Sequence, residues 1–482
     1  MISKRPYMFP QPETRFARLL AFGAVGLLSV VVFLAFANPI IVHFETNGYL
    51  LDSGWFAYLF GANDPWLMNP QTINGLSFYA HHMSPIIYVF SAIFSGLLGF
   101  SGISTFAIYT GISSTVLFLA LIMAAFGDNR DRLHFHIFAA FALTFTNEFL
   151  FRAVAYPHYE VLLFGLTPLL FLALTRQKNV LAYSLLVVLV LTREDGGFYA
   201  AFAALCCFLL MKGPRFSSPV GRQALVVFGL GVLMSFASLY AQSKWFPGFE
   251  TFPTNFSGNG FDHLSFELIA TRLLENLKTE GFLSLSLAVL LLVFFDRRYA
   301  VPALLIMPLI VLHLVAVRDL LGLFKLHYGL PFALIGAMVL MVYFDRHHRR
   351  VTKRYEPLAI VLLLLASSVL AGPLTLTGSG ASHRFRTSVT SAPNWVIGDY
   401  QQKISERVQL DAQGTCAGTS TTALDPDRFP KNRMLGATIP QDCRTLILIK
   451  DGYEYARFAA MARFSDYKIV EKLHDLEIYQ LK

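Results

Sequence analysis

Four short stretches of this 482-residue sequence carry nearly all the side chains that could do chemistry against an apolar background. The first holds Asp52 within YLLDSGWFAYLF (49–60), then Asp64, then His81 and His82 in HHMSP (81–85). The second, RAVAYPHYE (152–160), supplies His158 and Glu160, and the third, TREDGG (192–197), supplies Arg193, Glu194 and Asp195. The fourth, RDLLGLFKLHYGLP (318–331), supplies Arg318, Lys325, His327 and Tyr328. Carboxylates and imidazoles are the groups that pass protons. Each also has a plainer reading. Asp52 alone reads as a helix cap or a solvated carboxylate, adjacent histidines as a wet loop, and Arg193 as the ion-pair partner of Glu194 or Asp195. Glu148 and Arg152, four residues apart, neutralise each other across one helical turn. For Asp52 the flanking Leu50, Leu51, Trp55, Phe56, Tyr58 and Phe60 shift the balance, because they describe an amphipathic interfacial helix holding the carboxylate near a membrane surface. Neither histidine of the pair falls at a zinc-ligand spacing. A divalent metal ion is therefore left open, since histidines and carboxylates could bind one but no spacing is diagnostic.

The elements that must position these groups are membrane helices. With 55% hydrophobic and 15% charged residues and a mean hydropathy of +0.52, the chain is wrong for a water-soluble surface. Apolar runs able to cross ~30 Å of hydrocarbon at ~1.5 Å per residue occur near 17–42, 103–126, 133–151, 160–175, 179–193, 197–212, 222–243, 281–295, 299–316, 329–344 and 357–374. That gives about eleven transmembrane helices over residues 1–374 and a soluble region over 375–482. The N-terminal run exceeds the h-region of a signal peptide, so it reads as an uncleaved anchor. One further run, 85–100, is short and carries two glycines. If it lies at the interface or is re-entrant, the basic loops at 129–132, 176–178, 212–215, 296–298 and 346–350 all fall on the N-terminal side. If it spans, every one is translocated, at ~2.5–3.5 kcal/mol for each Lys or Arg brought to mid-membrane. The first arrangement is expected, and it puts all four polar stretches and the soluble region on the extracytoplasmic face. The same loop bias accounts for the net charge of +8 without nucleic acid as a partner.

DSGWF at Asp52, HMSP at His82, PHYE at Pro157, REDGG at Arg193 and HYGLP at His327, in that order, resemble a family of prokaryotic integral membrane proteins of formerly unknown function, grouped with the GT-C glycosyltransferases. The similarity covers roughly residues 40–345. Two positions depart from the family pattern. Phe56, Ala57 and Tyr58 stand where a second acidic or amide residue often follows the first aspartate, and Tyr156 stands where an aspartate often precedes the second-stretch histidine. The resemblance implies a GT-C-like fold in a prokaryotic cytoplasmic (inner) membrane. It also implies transfer of a sugar from a polyprenyl-phosphate-linked donor to a cell-surface glycan or lipid-linked acceptor. Asp52 matches the essential acid, and His81, His82, His158, Glu160, Arg193, Glu194, Asp195, Arg318, Lys325, His327 and Tyr328 fall to substrate binding.

The soluble region reads as a linker (375–382), a helix near 394–405, a run RTLILIK (444–450), a helix through 453–464 and two final runs alternating across His474 and Asp475 as a hairpin would. This is a small α/β domain. Cys416 and Cys443 both lie in it, outside the cytoplasm by this topology, so a disulfide is expected. Cys206 and Cys207 fall inside a membrane helix as packing residues. Two rival readings stand beside the transferase. A secondary transporter predicts internal repeats and charges near the bilayer midplane, whereas here the charges gather at one face. A noncatalytic scaffold with a partner-binding C-terminal domain leaves the polar stretches without a role.

Overall fold

The computed structural model describes residues 15–45, 53–67, 77–125, 158–211, 214–246, 253–258, 260–278, 282–324, 326–347, 414–417, 433–434, 439, 441–449, 458–473 and 476–482. The expected helices 133–151, 357–374 and 394–405, the linker, the boundary between the two regions, Asp52 and Lys325 lie outside the described residues. The other nine apolar runs lie on helices. These are α1 (Arg15–Glu45), α4 (Gly102–Ala125), α5 (Val161–Thr175), α6 (Asn179–Thr192), α7 (Gly196–Leu210), α8 (Pro219–Trp245), α10 (Phe282–Phe295), α11 (Ala300–Leu314) and α13 (Leu330–His347). Between them run α2 (Ser53–Gly61), α3 (Pro85–Phe90), α9 (Phe266–Lys278) and α12 (Asp319–Gly322).

Apolar composition all round a helix needs a partner on every side. For α5 the partners are protein: it packs against α4, α6 and α7, and its residues from Val161 to Leu174 are buried except Leu169. For α8 and α10 much of the apolar surface is open, with Leu233, Phe236, Leu290 and Phe294 all well exposed. Three described helices are long and apolar enough to cross a membrane by length and composition: Gly102–Met123, Pro219–Trp245 and Arg297–Leu314. The chain is a helical membrane protein.

Local chemistry sets the helix boundaries. Ser218 caps α8 by accepting from the Gly221 N–H at 2.9 Å, with Pro219 in the first turn. Past Arg193 the chain reverses into α7, and a side chain at Gly196 would strike the backbone of Leu189. Gly197 faces Gly231 of α8 so closely that either one's Cβ would run into the other's carbonyl oxygen. The expected reversal at the two glycines is there, and its cause is close backbone approach. The run 85–100 forms α3 and then widens into a π-helix, Ser91–Leu97. It is fastened to α2, with Ser91 Oγ accepting from the Asn63 N–H at 2.8 Å and Ser95 Oγ donating to the Phe60 carbonyl at 2.8 Å.

The C-terminal residues build a five-stranded mixed sheet from β1 (Thr415–Ala417), β2 (Arg433–Met434), β3 (Thr445–Ile449), β4 (Tyr467–Leu473) and β5 (Leu476–Leu481), in the order β2-β1-β3-β5-β4. The β1 pairings with β2 and β3 are parallel, and β5 runs antiparallel to both β3 and β4. Central β3 is buried along Leu446, Ile447 and Leu448, which explains its unbroken apolar run. The expected hairpin is β4–β5, and Cys416 and Cys443 are bonded. Cys206 and Cys207 are buried in α7. Of the helix expected through 453–464, residues 453–457 lie outside the described residues, Phe458 and Ala459 are helical, and past a turn at Ala460 the chain continues as a 3-10 helix, Ala462–Asp466.

Candidate functional site

Arg193 follows the last turn of α6 in an extended conformation. Its guanidinium reaches three carboxylates: Nη1 lies 2.8 Å from Glu160 Oε2, and Nε lies 3.0 Å from Asp195 Oδ1 and 3.5 Å from Glu194 Oε1. The plain expectation that Arg193 pairs locally is met on both sides, and Glu160, at the start of α5, joins as a third partner. Glu194 then ties in the first stretch. Its Oε1 is 2.9 Å from His82 Nδ1, and its Oε2 accepts the Met83 backbone N–H at 2.9 Å. Residues more than a hundred positions apart are thus held at one carboxylate.

The two histidines of the hub carry their protons differently. His82 Nδ1 meets a carboxylate and is therefore the protonated nitrogen, which leaves Nε2 without a hydrogen-bond partner among the described residues. His158 Nδ1 instead accepts the Glu160 backbone N–H at 3.4 Å, which puts the proton on Nε2. Burial holds His158 well below the ordinary histidine range, helped by the charges of His82 and Arg193. His81 is pushed down to about 4 by burial and then by His82. Asp195 moves the other way, up to about 6. Burial outweighs the pull of Arg193 there, and Glu194 and Glu160 add repulsion. Burial would raise Glu194 as well, but His82 and Arg193 outweigh it and hold the carboxylate ionised.

Aromatic rings from α2 form the wall beside these groups. Phe56 meets the His158 ring edge-on at 4.7 Å between centroids, and Trp55 meets His81 edge-on at 5.4 Å. The residues of α2 that contact the histidines thus begin three positions after Asp52. The Trp55 indole N–H is buried and has no acceptor among the described residues, an arrangement native interiors rarely leave unexplained. Tyr159 is fully buried between His158 and Glu160; its hydroxyl donates to Glu160 Oε1 at 3.3 Å, and its carbonyl accepts from the Tyr109 hydroxyl of α4 at 2.6 Å. His313, at the end of α11, lies within electrostatic reach of Arg193 and Glu160.

The structure therefore brings together His82, His158, Glu160, Arg193, Glu194 and Asp195, with His81 against the adjoining aromatic wall. Arg318 is elsewhere occupied: its side chain is exposed and donates to Asn255 Oδ1 at 3.2 Å. Tyr328 is half-buried in the turn Leu326–Gly329. Lys325 and the His327 side chain lie outside the described residues. Among the described residues no three His, Cys, Asp or Glu side chains gather in a way that could hold a metal ion. Sequence reasoning missed Trp55 as a buried donor, Tyr109, Tyr159 and His313. Tyr109 and His313 had a signal, each being a polar group within an apolar helix.

No family model and no curated protein matches the chain. Among solved structures it is similar to two cryo-EM structures of the arabinofuranosyltransferase AftD from Mycobacteria, one of them a mutant form. Both are 13% identical to it and cover 96% of it, with TM-scores of 0.48 and 0.46. The chain spans 40% and 41% of those longer chains.

Proposed function

We propose that the protein is an inverting membrane glycosyltransferase acting on the extracytoplasmic face. Its donor is a polyprenyl-phosphate-linked sugar and its acceptor a glycan or lipid-linked hydroxyl. Asp52 takes the proton of the acceptor hydroxyl, the hydroxyl oxygen bonds to the anomeric carbon, and the carbon–oxygen bond to phosphate breaks, releasing polyprenyl phosphate with the electron pair. A phosphate is already a fair leaving group, so one well-placed base is the main chemical need. Attack from the face opposite the phosphate gives inversion. Within this reading His82 offers Nε2 to a sugar or phosphate oxygen, the Trp55 indole N–H donates to another, and Glu160 and Glu194 shape the pocket through Arg193. Arg193 enters as the arginine that holds the pocket's carboxylates, and its three ion pairs leave phosphate charge to other groups.

The observation that carries the reading is the convergence of three of the four polar stretches on one hub, with α2 starting at Ser53 and laying Trp55 and Phe56 against its histidines. The order of the motifs supports it independently. The test is consumption of a polyprenyl-phosphate-linked sugar by the purified protein in lipid nanodiscs, run beside solute flux in sealed vesicles. Asp52→Asn should lower transfer by ~10²–10⁴-fold while membrane insertion stays unchanged. Full transfer by that variant would refute the base assignment, and flux without transfer would replace the enzyme with a transporter.

A further inference from the structure

The most unusual surface outside the hub belongs to α9 (Phe266–Lys278), which is polar toward the protein and apolar toward the outside. Arg272 is only 3% exposed, and its guanidinium points inward. Nη1 donates to the carbonyls of Leu314 and Ala316 at 2.7 and 2.6 Å, and Nη2 meets Asp319 Oδ1 at 2.8 Å. One turn on, Asn276 Nδ2 donates to the Gly322 carbonyl at 2.9 Å. The apolar outward residues are Phe266 at 88% exposure, Leu273, Leu274 and Leu277.

At about 100° per residue the helix divides into three faces rather than two. Phe266, Leu273, Leu274 and Leu277 share one stripe. Glu267, Thr271, Glu275 and Lys278, all exposed, share the next, with Lys278 paired to Glu275. Arg272 and Asn276 occupy the third. A helix in water between protein and solvent needs only two faces. Three faces, one for protein, one for water and one apolar, fit a helix lying along a protein wall at a membrane surface. The helices beneath it carry exposed apolar side chains as well. Helix α9 packs on α10 and α11, whose exposed side chains include Leu287, Leu290 and Phe294 and then Leu304 and Val311. The α11 segment is one of the three long enough to cross a membrane.

We propose that α9 is an interfacial membrane-docking helix whose apolar stripe sits among lipid acyl chains, and that through Arg272 it fixes the end of α11 at that depth. His313, one residue before Leu314, is buried at that end. The partner is lipid, and the inference stands whether or not the chain transfers sugars.

Site-directed fluorescence tests it on the full-length protein in phosphatidylcholine nanodiscs. Single cysteines replace Leu274, Leu277 or Glu275 and are labelled with bimane. The native thiols do not compete, since Cys206 and Cys207 are buried and Cys416 is bonded to Cys443. Labels at 274 and 277 should lose most of their fluorescence when the acyl chains carry mid-chain bromine and little in aqueous iodide. The label at 275 should show the opposite. Iodide quenching at 274 and 277 equal to that at 275 would overturn the proposal by putting the stripe in water. Quenching by neither agent would overturn it in favour of a protein partner. Positions 274 and 277 are independent readings, so misfolding of one variant leaves the other decisive.

Discussion

Replacing Arg193 with methionine removes the one cation that three carboxylates share. Its nitrogens lie 2.8, 3.0 and 3.5 Å from Glu160, Asp195 and Glu194 oxygens. At an effective dielectric near ~20, a pair of unit charges about 3 Å apart interacts by ~5 kcal/mol before desolvation is counted. Repulsion among the carboxylates and the cost of burying the guanidinium offset much of that. The net loss expected on breaking such a site is ~3–5 kcal/mol. It should appear as a lower unfolding free energy of the purified protein in detergent at pH 8. A second substitution, Glu160→Gln, should restore part of the loss, because the two residues contact directly and their effects cannot add. Lowering the pH toward 5 should also restore part of it, as the carboxylates left without their cation take up protons. A loss below ~1 kcal/mol, the range of an exposed pair, would refute the reasoning by making the hub a solvated surface cluster.

Three further outcomes follow from other residues. Asp195 titrates near 6 in the folded protein, above its ordinary 3.8, so its contribution to stability is present below about 4 and is lost as the pH rises through about 6. Asp195→Asn should flatten the pH dependence of unfolding in that window, and an unchanged slope would remove the group from the account. Arg272→Ala should cost ~3 kcal/mol, since it strands the Leu314 and Ala316 carbonyls, whereas Asp319→Asn should cost less than ~1 kcal/mol because Asp319 is 80% exposed; thermal unfolding of both variants compares them directly. Removing the Cys416–Cys443 bond, which spans 27 residues, should destabilise the C-terminal sheet by ~3.5 kcal/mol on loop entropy alone, read as earlier proteolysis of that region in the reduced protein.

Much of the hub was legible because its members come in tight local groups. His158 with Glu160, and Arg193 with Glu194 and Asp195, sit at the junctions of apolar helices, and a charge at such a junction has few places to go. The pairing of Glu194 with His82 was not legible. It depends on how α3 and the turn before α7 approach, and no local pattern encodes a contact across 112 residues. The same holds for Tyr109 and the Tyr159 carbonyl. In the fold, apolar runs located nine described helices to within a few residues, since hydrophobic length is a strong signal. They did not reveal the π-helical turns of Ser91–Leu97, where a long apolar run looks the same at either pitch. In the C-terminal region the β4–β5 hairpin followed from alternation, whereas β1 and β2, with three and two residues, are too short to carry a period. The inward face of α9 was hidden for another reason. An amphipathic pattern tells that two sides differ but not which side meets the protein.

The hub joins the turn before α3, the start of α5 and the reversal between α6 and α7, through His82, Glu160 and Arg193. Chain ends of this kind ordinarily fray one at a time. Here none can loosen without stripping a buried charge of its counter-ion, so the three should open as one cooperative unit. The backbone amides of these separate junctions would then share a single rate of exchange with solvent.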